Sequence, residues 1–186
     1  MTVFANRVLT PPLRALARLV LKAAGWTCEN VKPDADRYVA VMAPHTSNWD
    51  FLYFLAAGLV FGLNVRWLGK DTLFTGPLGP VMKWLGGVPV NRGAAKDIVP
   101  DAVAFLRRGE KAALAIAPEG TRSSVTRWKT GFYRIAVEAD VPILLSWLDY
   151  PSKTAGLGPL FQPTGDMEAD ILAMQEFYKP WRGKNT

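Results

Sequence analysis

Short, near-continuous apolar runs recur along this chain, separated by longer mixed stretches. YVAVMA, from Tyr38 to Ala43, is the first clear run. NVRWLG (64–69), GVPVN (87–91), KAALAIA (111–117) and VPILLSWLDY (141–150) follow at comparable length. Runs of this length that are apolar throughout, rather than at every second position, predict strands buried on both faces. Between them, FLYFLAAGLVFGL (51–63), DAVAFLRRG (101–109), TGFYRIAVEA (130–139) and DMEADILAMQEFYK (166–179) read as helices, the first ending near Gly62. Strand and helix alternate, which predicts an α/β fold: one domain built on a largely parallel or mixed sheet covered by helices. No internal repeat or low-complexity tract interrupts it.

The chain ahead of the first strand has a different pattern. Thr10, Pro11 and Pro12 form a helix-start signal, with the Thr10 hydroxyl as N-cap and proline in the first turn, and Gly25 is the matching stop. On the resulting helix of about three turns, Arg14, Arg18 and Lys22 share one stripe, while Leu13, Leu16, Leu19, Val20 and Ala23 fall opposite. That arrangement suits a helix lying in the plane of a membrane surface. It equally suits a surface helix packed on its own domain. The chain thus divides into residues 1–30, an amphipathic helix with its connection, and residues 31–186, the α/β domain.

With 49% hydrophobic and 20% charged residues over 186 positions, the composition is that of a folded domain with little room for disorder. The formal charge of +6 favours anionic partners without choosing among them. A single cysteine, Cys28, allows no internal disulfide, and with a single histidine it leaves no zinc-ligand cluster. The longest uninterrupted apolar run, 51–63, falls short of the roughly 20 residues needed to span a bilayer. The start of the chain shows no compact apolar core followed by a clear cleavage site, so no signal peptide is expected.

Several chemistries lose their usual support. There is no G-x-S-x-G elbow, no P-loop and no G-x-G-x-x-G after a strand, and any imidazole chemistry must use His45. His45 stands just past the first strand, where α/β folds place functional groups, and Asp50 follows five positions on. Ser47 and Asp50 also have the S-x-x-D form of a capping box, which explains Asp50 without catalysis but leaves His45 unexplained. A first-turn carboxylate can instead turn back to the imidazole, fix its tautomer and stabilise its protonated form, so that the substrate itself supplies the nucleophile. Two further strand exits carry arginines. Arg92 ends GGVPVNR, and APEGTRSS (117–124) follows the apolar ALAIA. An arginine fork matches phosphate oxygens, and Gly120 permits close approach, although each loop taken alone is more often a solvated loop charge.

Taken in order, His45-x4-Asp50, Gly87-x4-Arg92, Pro118-Glu119-Gly120-Thr121-Arg122-Ser123 and the apolar Val141-Pro142-Ile143 resemble the four sequence blocks of the glycerolipid acyltransferase family, and WKTGF (128–132) resembles the Lys-x-Gly segment that follows its third block. Pro44 and Ala117 depart from the residues common at those places. The resemblance implies a fatty acyl transfer from a thioester, on coenzyme A or acyl carrier protein, to the hydroxyl of a lysophospholipid-type acceptor such as 1-acylglycerol-3-phosphate. In it His45 is the general base and Asp50 its orienting partner. Arg92, Glu119, Gly120, Thr121 and Arg122 line the acceptor site. No metal and no cofactor beyond the thioester substrate is implied, and no nucleic acid. The expected place of action is the cytoplasmic side of an anionic membrane, bound peripherally. Two alternatives stand beside this: transfer to a different lysolipid, and a non-catalytic module that binds anionic lipid.

Overall fold

The computed structural model describes residues 1–29, 33–90, 98–108, 111–122, 125 and 127–185. Among them, seven strands, β1 (Thr27–Glu29), β2 (Arg37–Met42), β3 (Val65–Lys70), β4 (Gly87–Val90), β5 (Ala112–Ile116), β6 (Ile143–Asp149) and β7 (Thr154–Phe161), form one sheet in the order β1-β7-β6-β2-β5-β3-β4. The helices are α1 (Thr10–Ala23), α2 (Trp49–Phe61), α3 (Gly79–Trp84), α4 (Val99–Arg107), α5 (Gly131–Ala139) and α6 (Met167–Tyr178). The sheet is mixed. β6 and β7 pair antiparallel, and the other pairings are parallel.

The apolar strand runs are explained by what lies on each side. Val39 and Val41 of β2 face α4, α5 and α6, packing with Val103, Leu106, Phe132, Ile135 and Met174. Tyr38 and Ala40, one position out of phase, face the other way toward Leu55 of α2, with Val65, Trp67 and Leu144. A strand covered on both faces has no polar side to show, hence its unbroken hydrophobicity. β7 is different. Gly156 lies under Trp147, where a Cβ would run into the indole, and Gly158 lies against Phe177. These glycines and Pro159 make room for aromatic side chains but erase the strand pattern from the sequence.

The first helix corrects two expectations. Thr10 is not its cap: the Thr10 hydroxyl donates to the carbonyls of Val3, at 2.7 Å, and Asn6, while the Asn6 side chain accepts from the amides of Val8 and Leu9 at 3.0 and 2.9 Å. Asn6 therefore does the capping, one turn earlier, with its own carbonyl accepting from the Thr10 amide. Arg14 does not join a solvent stripe either. Its Nε donates to the Leu59 carbonyl at 2.8 Å, and its guanidinium packs over Gly62, which ends α2 with φ of 74°. A cation at a helix C-terminus satisfies orphan carbonyls and complements the dipole. α1 consequently buries Ala17 and Leu21 and leaves Leu16, Leu19 and Val20 more than half exposed. Before the helix, Val3 and Phe4 belong to the core against α2 and β3, and β1, also ahead of residue 31, lies in the sheet beside β7.

Candidate active site

Three adjacent strands deliver the site. β2 lies between β5 and β6, both parallel to it, with Val41 opposite Ile116 and Met42 opposite Ser146. Continuing each strand by a few residues brings His45, Glu119 and Tyr150 to one end of the sheet. Ligands of parallel α/β sheets bind beyond the carboxyl ends of the strands.

After β2 the chain runs through the cis Ala43–Pro44 peptide into the loop 43–48, and α2 begins at Trp49. Asp50, in the first turn of α2, is fully buried. Its Oδ2 accepts from the amides of Thr46 and Ser47, each at 2.8 Å, and its Oδ1 accepts from the Tyr150 hydroxyl at 2.6 Å. The His45 Nδ1 stands 3.1 Å from the same Oδ2. At this distance the ring neighbours the carboxylate, but Nδ1 lacks the alignment of a formed hydrogen bond. The capping reading and the dyad reading thus describe the same carboxylate. Half of the box is present, since Asp50 reaches back to the Ser47 amide. The other half is not, since the Ser47 hydroxyl accepts from Trp49, at 3.2 Å, rather than from the Asp50 amide.

Burial pushes the Asp50 carboxyl up, but the adjacent His45 ring and the donors Tyr150, Ser47 and Thr46 outweigh it and hold the group below the usual carboxylate range. Asp50 is therefore a charge kept in a buried place. Tyr150, pushed well up by burial and by its bond to Asp50, stays a proton donor.

Glu119 lies on the opposite side of His45. Its Oε2 accepts from the His45 backbone amide at 2.8 Å, and burial raises its carboxyl above the ordinary value. The structure therefore places Glu119 on the backbone of the loop that carries His45. Gly120 takes φ of 65°, and a Cβ there would come within 2.6 Å of Lys129 Cε, so the lysine of WKTGF crosses over this glycine. The Lys129 amide closes the loop on the Pro118 carbonyl at 2.8 Å. Thr121 and Arg122 are exposed beyond it. Arg92 lies outside the described residues.

Two contributors escaped the sequence reading. Tyr150 is one. The other is the segment after α6, where Asn185 donates to Thr46 through its backbone amide (to Oγ1, 3.2 Å) and its side chain (to the carbonyl, 2.8 Å). Gly183 passes so near Thr46 that a Cβ would run into its hydroxyl, and Lys184 Nζ sits 5.2 Å from the Trp49 ring centre. Further back, the Tyr150 amide donates to the Arg182 carbonyl and the Arg182 amide to Asp149 Oδ1. The only advance signal was the polar pair Asp149–Tyr150 closing an apolar strand run. A cleft of about 590 Å³ lined by Tyr150, Pro151, Arg182, Gly183 and Lys184 adjoins this segment and is lined by neither His45 nor Asp50.

The sequence pattern that defines the acyltransferase family matches residues 27–147, which include His45, Asp50 and the loop after β5. The chain belongs to the acyltransferase family. No curated protein matches this acyltransferase. Among solved structures it is similar to the 1-acyl-sn-glycerophosphate (LPA) acyltransferase PlsC from Thermotoga maritima, with a TM-score of 0.65 at 17% identity over 95% of this chain and 81% of that one. At that identity the likeness is one of fold. This acyltransferase therefore shares its sheet and helices with PlsC, and the motif order read from the sequence falls inside the family match.

Proposed function

We propose that this acyltransferase moves a fatty acyl group from a coenzyme A or acyl carrier protein thioester to the hydroxyl of a lysophospholipid, 1-acylglycerol-3-phosphate being the acceptor of choice. The observation that carries the reading is the chain's one imidazole, with 18% of its side chain exposed, against a buried ionised carboxylate at 3.1 Å. With Nδ1 toward Asp50, Nε2 is the nitrogen left for substrate. Nε2 takes the acceptor hydroxyl proton as the oxygen attacks the thioester carbonyl, and Asp50 stabilises the imidazolium. Collapse of the tetrahedral adduct breaks the C–S bond, and the imidazolium returns the proton to the departing thiolate. No protein nucleophile is consumed. Arg122 and Arg92 are the proposed partners of the acceptor phosphate. The acceptor is that of the structurally similar PlsC, an LPA acyltransferase, and of the family the sequence resembles.

No helix among the described residues is long and apolar enough to cross a membrane. Leu16, Leu19 and Val20 on α1 and Trp49 and Leu52 on α2 are nevertheless more than half exposed. These apolar surfaces support docking on one face of an anionic bilayer, the source of a lysolipid acceptor. A lipid-binding module would need those leucines but not a charge buried beside an imidazole.

The test is a panel of lysolipid acceptors offered with one acyl-CoA and one acyl carrier protein thioester, followed by thiol release and diacyl product. His45→Ala should lower kcat by about 10² to 10⁴ while the protein stays folded. Turnover close to wild type in that variant overturns the reading.

A further inference from the structure

We propose that Tyr150 is a positioning residue of the dyad, its hydroxyl fixing the Asp50 carboxylate with Oδ2 turned to His45. The inference rests on the reading of His45 as base. The torsion that rotates a carboxylate about its last bond is soft. The Thr46 and Ser47 amides both bind Oδ2, so these two donors act on one oxygen of the group only. The Tyr150 bond to Oδ1, at 2.6 Å, supplies the second point. With both oxygens held, Oδ2 is kept in the place where the His45 Nδ1 stands 3.1 Å from it.

Tyr150 is itself held rigidly enough to act as a reference. Its ring meets Trp26 edge-on, with centroids 5.1 Å apart, and lies across Tyr53 at 6.0 Å, while Trp26 and Tyr53 stack on each other at 4.5 Å. Its amide is fixed to the Arg182 carbonyl at 3.0 Å. Trp26 directly follows α1, Tyr53 is on α2 and Arg182 follows α6, so three separate parts of the chain converge to place one hydroxyl. The effort is disproportionate for a tyrosine whose role ends at packing, because phenylalanine would serve the aromatic contacts alike.

The test is Tyr150→Phe in the full chain, assayed with 1-oleoylglycerol-3-phosphate and palmitoyl-CoA and by ¹⁵N spectroscopy of the imidazole. Because the chain has one histidine, the spectrum contains one ring. The wild-type spectrum should show the proton on Nδ1. In Tyr150→Phe both ring nitrogens should move toward the averaged shifts of mixed tautomers. kcat should fall about tenfold, with the KM of both substrates unchanged, and in an Asp50→Asn background the same change should alter the residual kcat less than twofold, since the tyrosine acts through that carboxylate. An unchanged ring spectrum, or a kcat within twofold of wild type in a folded variant, overturns the proposal. His45→Ala run in parallel separates the failures: if that variant is active the base reading falls, while the ring spectrum still decides whether Tyr150 sets the dyad.

Discussion

Replacing Asp50 with Asn keeps the shape of the side chain and removes its charge. The perturbation is felt when His45 has accepted the proton, so it belongs to the transition state rather than to substrate binding. Two unit charges 3.1 Å apart attract by about 5 kcal/mol at an effective dielectric of about 20. The Asn dipole retains part of this, leaving a loss of about 3–4 kcal/mol, or a fall in kcat of about 10² to 10³ with little change in KM. The assay is steady-state thiol release with each substrate varied in turn. Stability gives an independent check. The Asp50 carboxyl lies below its ordinary value, so its contribution is complete above about pH 4 and is lost as pH falls through the folded-state value. The Asn variant should therefore melt below wild type at neutral pH, with the gap closing in acid. If the gap behaves this way but kcat stays within about threefold of wild type, Asp50 caps the loop without serving the base, and the dyad argument is refuted.

Gly183→Ala should lift the segment 182–185 off Thr46, because its Cβ has no room beside the Thr46 side chain; kcat should drop by about tenfold, and a variant with unimpaired kcat would show that the segment is passive. Membrane docking separates by chemistry. Changing Leu16, Leu19 and Val20 to Ser removes about 1 kcal/mol of burial each, given their exposure, and should weaken binding to anionic vesicles by about a hundredfold regardless of salt. Arg18→Gln with Lys22→Gln should cost about tenfold or somewhat more, and only at low salt. Arg14 is left in place because it holds α2. Vesicle co-sedimentation that ignores the leucine changes would move the docking surface elsewhere.

Where the sequence was legible, a local rule carried the information. β2, β5 and β6 could be read because a strand covered on both faces must be apolar at every position. His45 and Asp50 could be read because the apolar strand run ends at Ala43 and the helical run starts at Phe51, which puts one at a strand exit and the other at a helix start. β7 was hidden because Gly156 and Gly158 serve the aromatic rings above them, and β1 because three residues carry no pattern. α3, six residues long with proline in its first turn, gives no period to find. Tyr150 and Asn185 lie 100 and 139 residues from the groups they bond, Asp50 and Thr46. Nothing along the chain announces such contacts, which follow from β6 being placed next to β2 and from the route taken after α6. Arg14 left the cation stripe of α1 for a related reason, while Arg18 and Lys22 stay exposed. Helical spacing fixes which residues share a face, but only the neighbouring helix decides which face is covered, and α2 offered open carbonyls to Arg14.

The bonds between Asn185 and Thr46 have a practical consequence for handling this acyltransferase. A fusion partner attached behind residue 186 would load the very segment that steadies the residue next to His45, and thermal motion of the added domain would be passed to Thr46 through two hydrogen bonds. At the other terminus Met1 is exposed, but Thr2, Val3 and Phe4 are already buried against the sheet, so an addition there meets a fixed anchor well away from the dyad. Tags of equal size at the two ends should therefore differ in kcat while leaving the melting temperature alike.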